Sequence, residues 1–268
     1  MFALAVAGDG GVRLYSLGKQ APSTGGGRGE VCGFSQASRR RLIDKLMLVP
    51  WKDIEGQTKH DVRARAVLVT LTYPAIYPVE GDIVKRHLAN FRRALEHVKS
   101  GAYAGLWRLE YQKRGAAHFH ILLWFKEPVR IASFVTWARE TWYRVVGSGD
   151  VKHLRHGVDV RPVTASRRRP GALLSYLVKY LGKVSTEQFH TGRIWGTWGA
   201  FPQEIRCAAT FETYACYVEF LRRVRRWGKR SRYLRKIANC SGLRLFCYGT
   251  NVLFQLAQGL AGCDVYIT

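Results

Sequence analysis

The alternation of apolar and polar positions changes period several times along this chain, and each change marks an element. From residue 64, ARAVLVTLTYP sets Val67, Val69, Leu71 and Tyr73 against Leu68, Thr70 and Thr72. That period of two predicts a strand with one polar edge, ending at Pro74. Val84, Leu88, Phe91, Leu95 and Val98 then recur at three- and four-residue steps before Gly101, so residues 82 to 99 read as an amphipathic helix. YAGLWRLEYQ and AAHFHILLWF, joined by the polar KRG, predict a hairpin. After Pro128 a helical pattern runs from Ile131 to Val145, GVDVRPV reads as a short strand, and GALLSYLVKYLGK reads as a helix.

The resulting order, β-α-β-β-α-β, predicts an α+β fold: a ferredoxin-like antiparallel sheet with the last of these helices over it. The flanks are simpler. SQASRRRLIDKLMLVPW begins with a serine suited to an N-cap, carries three arginines, and spaces Leu42, Ile43 and Leu46 helically before Pro50. Residues 1–34 are rich in Gly and Ser and read as a flexible leader with too little apolar surface to order itself. Residues 211 to 238 contain nine Lys or Arg and two Glu, with Tyr214, Tyr217, Leu221 and Val224 at helical spacing. The expected organisation is therefore a leader (1–34), a central domain (35–200) and a basic helical C-terminal extension (201–268), whose last segment, from Cys240, carries no assignable motif.

Composition narrows the partners. With 268 residues and 47% apolar content, the chain can bury one sizeable core. A formal net charge of +24, from 43 Lys and Arg against 19 Asp and Glu, calls for a polyanion. No apolar run approaches the roughly 18 residues of a spanning helix, and MFALAVAGDGG is a poor signal peptide, so no membrane is expected and a cytoplasmic location is. The six cysteines form no C-x-x-C pair, which argues for free thiols rather than a zinc site.

The chemistry concentrates in two places. In a strand His118 and His120 share a face, and Glu110 lies on the partner strand of the same hairpin. Two imidazoles and a carboxylate suit a divalent ion that keeps positions open for substrate oxygens. On the helix of GALLSYLVKYLGK, Leu173, Leu177 and Leu181 form one stripe and Tyr176 and Tyr180 a second, four residues apart and within about 40° of each other. Lys179 and Lys183 lie within a turn of both rings, where a cation can stabilise a phenolate or hold a phosphate oxygen. In the C-terminal segment, Arg222, Arg223, Arg225, Arg226, Lys229 and Arg230 form a basic face suited to a DNA backbone.

These segments together resemble the HUH endonucleases, and among them the rolling-circle replication initiators (Rep proteins). The matching stretches are VTLTYP, GAAHFHILLW with Phe119 as the apolar residue between the histidines, and YLVKYLGK. The E-x-x-x-R-G-x-x-H-x-H run from Glu110 to His120 and GRIWGTWG at 192–199 look closest to Reps of small single-stranded DNA phages, filamentous or microvirus-like. The resemblance spans roughly residues 35 to 200. It implies Mg²⁺ or Mn²⁺ held by His118, His120 and Glu110, and a tyrosine that attacks a DNA phosphodiester, stays joined to the 5′ phosphate and frees a 3′ hydroxyl. It further implies single-stranded or locally melted origin DNA as substrate, a host polymerase and helicase as partners, and a bacterial host cell. A transposase or relaxase would share this chemistry. A non-catalytic DNA-binding protein would carry the same H-x-H pair as a structural site.

Overall fold

The computed structural model describes residues 2–7, 11–16, 34–46, 48–49, 62–163, 192–201, 205–211, 222, 243–246 and 265–267. In chain order its elements are β1 Phe2–Ala7, β2 Gly11–Ser16, α1 Gln36–Leu46, β3 Arg63–Thr72, α2 Gly81–Lys99, β4 Tyr103–Tyr111 and β5 Ala117–Arg130. They continue with α3 Ile131–Val146, α4 Val151–His156, β6 Val158–Pro162, β7 Trp195–Gly199, β8 Ile205–Phe211, β9 Leu243–Phe246 and β10 Val265–Ile267. Two compact units divide them, one holding residues 28–46 and 53–201, the other residues 1–27, 47–52 and 202–268.

The first unit is built on an antiparallel sheet of order β6-β3-β5-β4-β7. Strand β3, whose central Ala66–Val69 run is buried, sits between β5 and β6. The hairpin of β4 and β5 closes through residues 112–116, where Gly115 takes φ +84°, a left-handed value that a Cβ would oppose. On one face of the sheet the buried side chains of Val67, Val69, Leu71, Phe119 and Ile121 meet α2 and α3. Trp142, fully buried on α3, is the centre of this layer: its ring packs edge-on against Tyr73, Phe91 and Phe119, with centroids 5.1, 6.1 and 6.2 Å away.

The opposite face carries Leu68, Leu106 and Leu122 and, beyond them, a polar row. Helix α1 belongs to this side. Ser35 caps it by accepting from the Ser38 N–H at 3.1 Å, Leu42 and Leu46 are buried, the Ser38 hydroxyl accepts from the Trp195 indole at 2.7 Å, and Phe34 lies over the Arg108 guanidinium at 4.2 Å. Among the described residues no helix is long and apolar enough to cross a membrane.

Strands β3 to β6 and helices α1 to α3 follow the sequence periodicities. Four features differ, one of them the edge strand β7, which the expected β-α-β-β-α-β order lacks. Residues 2–7 and 11–16 are not an unordered leader: β1 and β2 pair with each other, and β1 pairs with β8, in a second antiparallel sheet of order β10-β8-β1-β2-β9. Short segments such as FALAVA gain their order from cross-strand partners distant in sequence, which composition does not reveal. The described residues beyond 201 are likewise mostly strands, with Arg222 helical; the rest of the expected helix over 211–238 lies outside the described residues, as do the APSTGGGRGE stretch and the helix expected at GALLSYLVKYLGK. Helix α4 is an addition, started by Asp150, whose carboxylate accepts from the Lys152 N–H at 2.8 Å.

Trp142→Ala removes the largest side chain of the helix-facing core, so it should destabilise the protein by about 3–5 kcal/mol. Urea unfolding monitored by circular dichroism measures this; a loss below about 1 kcal/mol would mean that the layer is not organised around this ring.

Candidate functional site

Strand register assembles the polar row. Across the sheet Thr70 stands opposite His120, which stands opposite Arg108; one step further, Thr72, His118 and Glu110 align in the same way. Opposed residues share a face, so six polar side chains from three strands project together on the side away from α2 and α3. The imidazoles of His118 and His120 meet edge to face, centroids 4.6 Å apart.

Each imidazole is held through Nδ1 by a hydroxyl on β3. Thr72 Oγ1 is 3.0 Å from His118 Nδ1, and Thr70 Oγ1 is 3.3 Å from His120 Nδ1. A proton on Nδ1, donated to the hydroxyl, leaves the Nε2 lone pair of each ring for another partner. His118 also has Gln112 Nε2 3.4 Å from its Nδ1. Burial, and then the neighbouring His120, push the His118 pKa down to about 4, against an upward pull from Glu110, so this ring is neutral at pH 7.

Glu110 bridges cation and imidazole: its Oε1 lies 3.2 Å from Arg108 and its Oε2 3.4 Å from His120 Nε2. Arg108 is 1% exposed beneath Phe34, and burial lowers its pKa while Glu110 opposes the shift. His120 is 4% exposed, whereas His118, Glu110 and both threonines are half-exposed, so the row opens to solvent at the His118 end. Among the described residues, no three His, Cys, Asp or Glu side chains stand as a ready metal cluster. With Glu110 turned between Arg108 and His120, the donor types match a divalent ion while the carboxylate is otherwise engaged.

The backbone of Thr72 is fixed from the other side of the sheet. Its carbonyl accepts from Trp142 Nε1 and from His153 Nε2, both at 2.9 Å, and its N–H donates to the Gly157 carbonyl at 2.8 Å. Donation from His153 Nε2 leaves Nδ1 to accept from the Ser148 hydroxyl at 2.9 Å. Burial lowers the His153 pKa, which favours this neutral form. A Cβ at Gly157 would come within 2.4 Å of the His153 ring, so only glycine leaves room for it. At the turn, Arg114 donates to the carbonyls of Tyr73 and Pro74 at 2.6 and 2.7 Å and to Gln112 Oε1 at 2.9 Å, tying the Gln112 that touches His118 to the end of β3.

The structure thus brings together His118, His120 and Glu110 from the sequence-predicted set. Tyr176, Tyr180, Lys179 and Lys183 lie outside the described residues, as do Arg223, Arg225, Arg226, Lys229 and Arg230; Arg222 is exposed. Sequence reasoning did not single out Thr70 and Thr72, although the T-x-T of β3 repeats the spacing of the H-x-H of β5. His153 gave a fainter signal, an Asp N-cap and a following glycine around a short helix.

No curated protein and no solved structure gives a significant match to the chain. Residues 66–185 match the model of a family of replication-associated proteins, the ORF2 type. That span contains β3, the histidine pair, Glu110 and the segment with both tyrosines, and the similarity of this part of the chain to replication-associated proteins points to a role in the initiation of replication.

Proposed function

We propose that the protein nicks and rejoins single-stranded or locally melted origin DNA to initiate rolling-circle replication, as an HUH endonuclease of the Rep type. The observation that carries this reading is the pair of imidazoles held by β3 hydroxyls at Nδ1, with the Glu110 carboxylate opposite and in contact with Nε2 of His120. Such an arrangement is how proteins prepare histidines for a metal. The order β6-β3-β5-β4, with α2 and α3 on one face, supports the ferredoxin-like reading of the core.

His118, His120 and, after turning from its contact with His120, Glu110 would hold Mg²⁺ or Mn²⁺. A bound divalent ion would supply Lewis-acid polarisation of the scissile phosphate. Nucleophile and leaving group fall to the chain and the DNA. The phenolate oxygen of Tyr176 or Tyr180 attacks phosphorus, the bond from phosphorus to the 3′ oxygen breaks, and the products are a 5′-phosphotyrosine and a free 3′ hydroxyl. Lys179 and Lys183 would stabilise the phenolate before attack. Attack by the 3′ hydroxyl on the phosphotyrosine reverses the step and rejoins the strand. The segment that bears the tyrosines joins β6 at one edge of the sheet to β7 at the other. The charge of +24 supports a DNA substrate, the basic segment from Arg222 to Arg230 would contact its backbone, and a host polymerase and helicase in a bacterial cytoplasm would act on the freed 3′ end.

His118→Ala and His120→Ala should each abolish nicking of a labelled origin oligonucleotide in Mn²⁺ while leaving binding within a few-fold of the native protein, because phosphate neutralisation comes from Lys and Arg. Nicking that persists in EDTA contradicts the metal assignment.

Tyr176→Phe and Tyr180→Phe should each still form a covalent adduct with a cleavable oligonucleotide on a denaturing gel, and the double variant none. A folded single variant that forms no adduct makes the other tyrosine the sole nucleophile, and an adduct from the double variant removes both.

A further inference from the structure

At the far end of β3, about 30 Å along the strand from Thr72, lies a cavity of about 350 Å³ between the last turn of α2 and the first turn of α3. Arg63, Lys99, Arg130, Ser133, Phe134 and Trp137 are among the residues that line it. Arg63 and Arg130 are direct partners in the β3–β5 ladder. Like charges placed opposite each other in a ladder repel, and among the described residues neither arginine nor Lys99 has a carboxylate partner. Three cations therefore converge on one cavity without a carboxylate partner among the described residues. The first turn of α3 adds to the positive field, since its N-cap is Arg130 and no side chain caps its amides. The cavity is also aromatic. Trp137 is half-buried and leans on Phe91 and Phe134, centroids 5.6 and 5.3 Å away, which holds its indole as a firm platform.

We infer that this cavity binds a nucleoside 5′-phosphate unit, the phosphate between Arg63, Arg130 and Lys99 and the base against Trp137. Phosphate is the anion that guanidinium pairs bind in bidentate fashion. A flat π-faced base is the partner that an aromatic platform accepts without regard to sequence. The volume falls at the lower end of the range of small-molecule pockets, room for one nucleotide rather than for a duplex. The unit can belong to a single DNA strand or to a free nucleotide. This site is separate from the histidine centre and does not depend on it.

The test uses the full chain in EDTA, so that binding is read whether or not the histidine site cleaves DNA. Thymidine 5′-monophosphate is titrated by saturation-transfer NMR, and a fluorescein-labelled oligothymidylate eight nucleotides long by anisotropy. Arg63→Gln/Arg130→Gln should weaken both probes at least tenfold, while Lys152→Gln/Arg155→Gln, which removes the same charge from the exposed face of α4, should leave the mononucleotide unchanged and the oligothymidylate within about twofold. Lys99→Gln should weaken both probes several-fold, as a second variant with its own readout. Both arginines are exposed, and a thermal melt confirms that the fold survives. If the oligothymidylate binds far more tightly than the mononucleotide and both depend on Arg63 and Arg130, the source is a strand; equal affinities mark a site for free nucleotides. The inference is overturned if the mononucleotide does not bind, or if the Arg63/Arg130 variant behaves like the Lys152/Arg155 control with both probes.

Discussion

Everything at the histidine row depends on the register between β3 and β5. The side-chain period of a strand is two, so a slip of one residue would turn Thr70 and Thr72 into the helix-packed core and leave apolar residues under His118 and His120. The register is held against this slip from the side of the sheet away from the histidine row. Val67, Val69 and Leu71 are committed to the layer around Trp142, and the backbone of Thr72 is fixed by Trp142, His153 and Gly157 together. The apolar core and the polar site are thus two faces of one constraint: the same pairing that buries the valines aligns the hydroxyls with the imidazoles.

Electrostatically the row is unusual for so basic a chain. One carboxylate, Glu110, faces one buried arginine and two histidines. Arg108 cannot leave without stranding Glu110, and Phe34 shields it from water. Burial keeps His118 neutral even though the row opens to solvent at its end, and a neutral imidazole is the form that can donate a lone pair. A neutral His118 beside a positive surface makes chemical sense if phosphate is attracted by the surface and handled at the row.

Much of this was legible before any coordinates. Periods of two and of three to four placed β3, α2, the β4–β5 hairpin and α3 to within a few residues, because each buries one face against a large core. Glu110 on the partner strand, close to His118 or its flank, followed from the hairpin alone, and the structure sets it directly opposite His118. Other elements were hidden for physical reasons. FALAVA and GVRLYS look like weak leader sequence because their order comes from pairing with each other and, for β1, with a strand far along the chain, Ile205–Phe211. The role of Thr70 and Thr72 was hidden because threonine on a strand is ordinary, and its meaning appears only when the register sets it beside an imidazole. His153 was harder to see because one of its partners is a backbone carbonyl, and only the short capped helix around it leaves a trace in sequence.

At the centre of the site, the β3 hydroxyls contact Nδ1 of both imidazoles, and metal binding through Nε2 of His118 requires its proton on Nδ1. Long-range ¹H–¹⁵N correlation spectra of imidazole nitrogens, recorded at pH 7 in EDTA, read this state directly. His118 should show the Nδ1–H tautomer and shift towards Nε2–H in Thr72→Val. Native spectra with the His118 ring in the Nε2–H form, unchanged by that substitution, would contradict it.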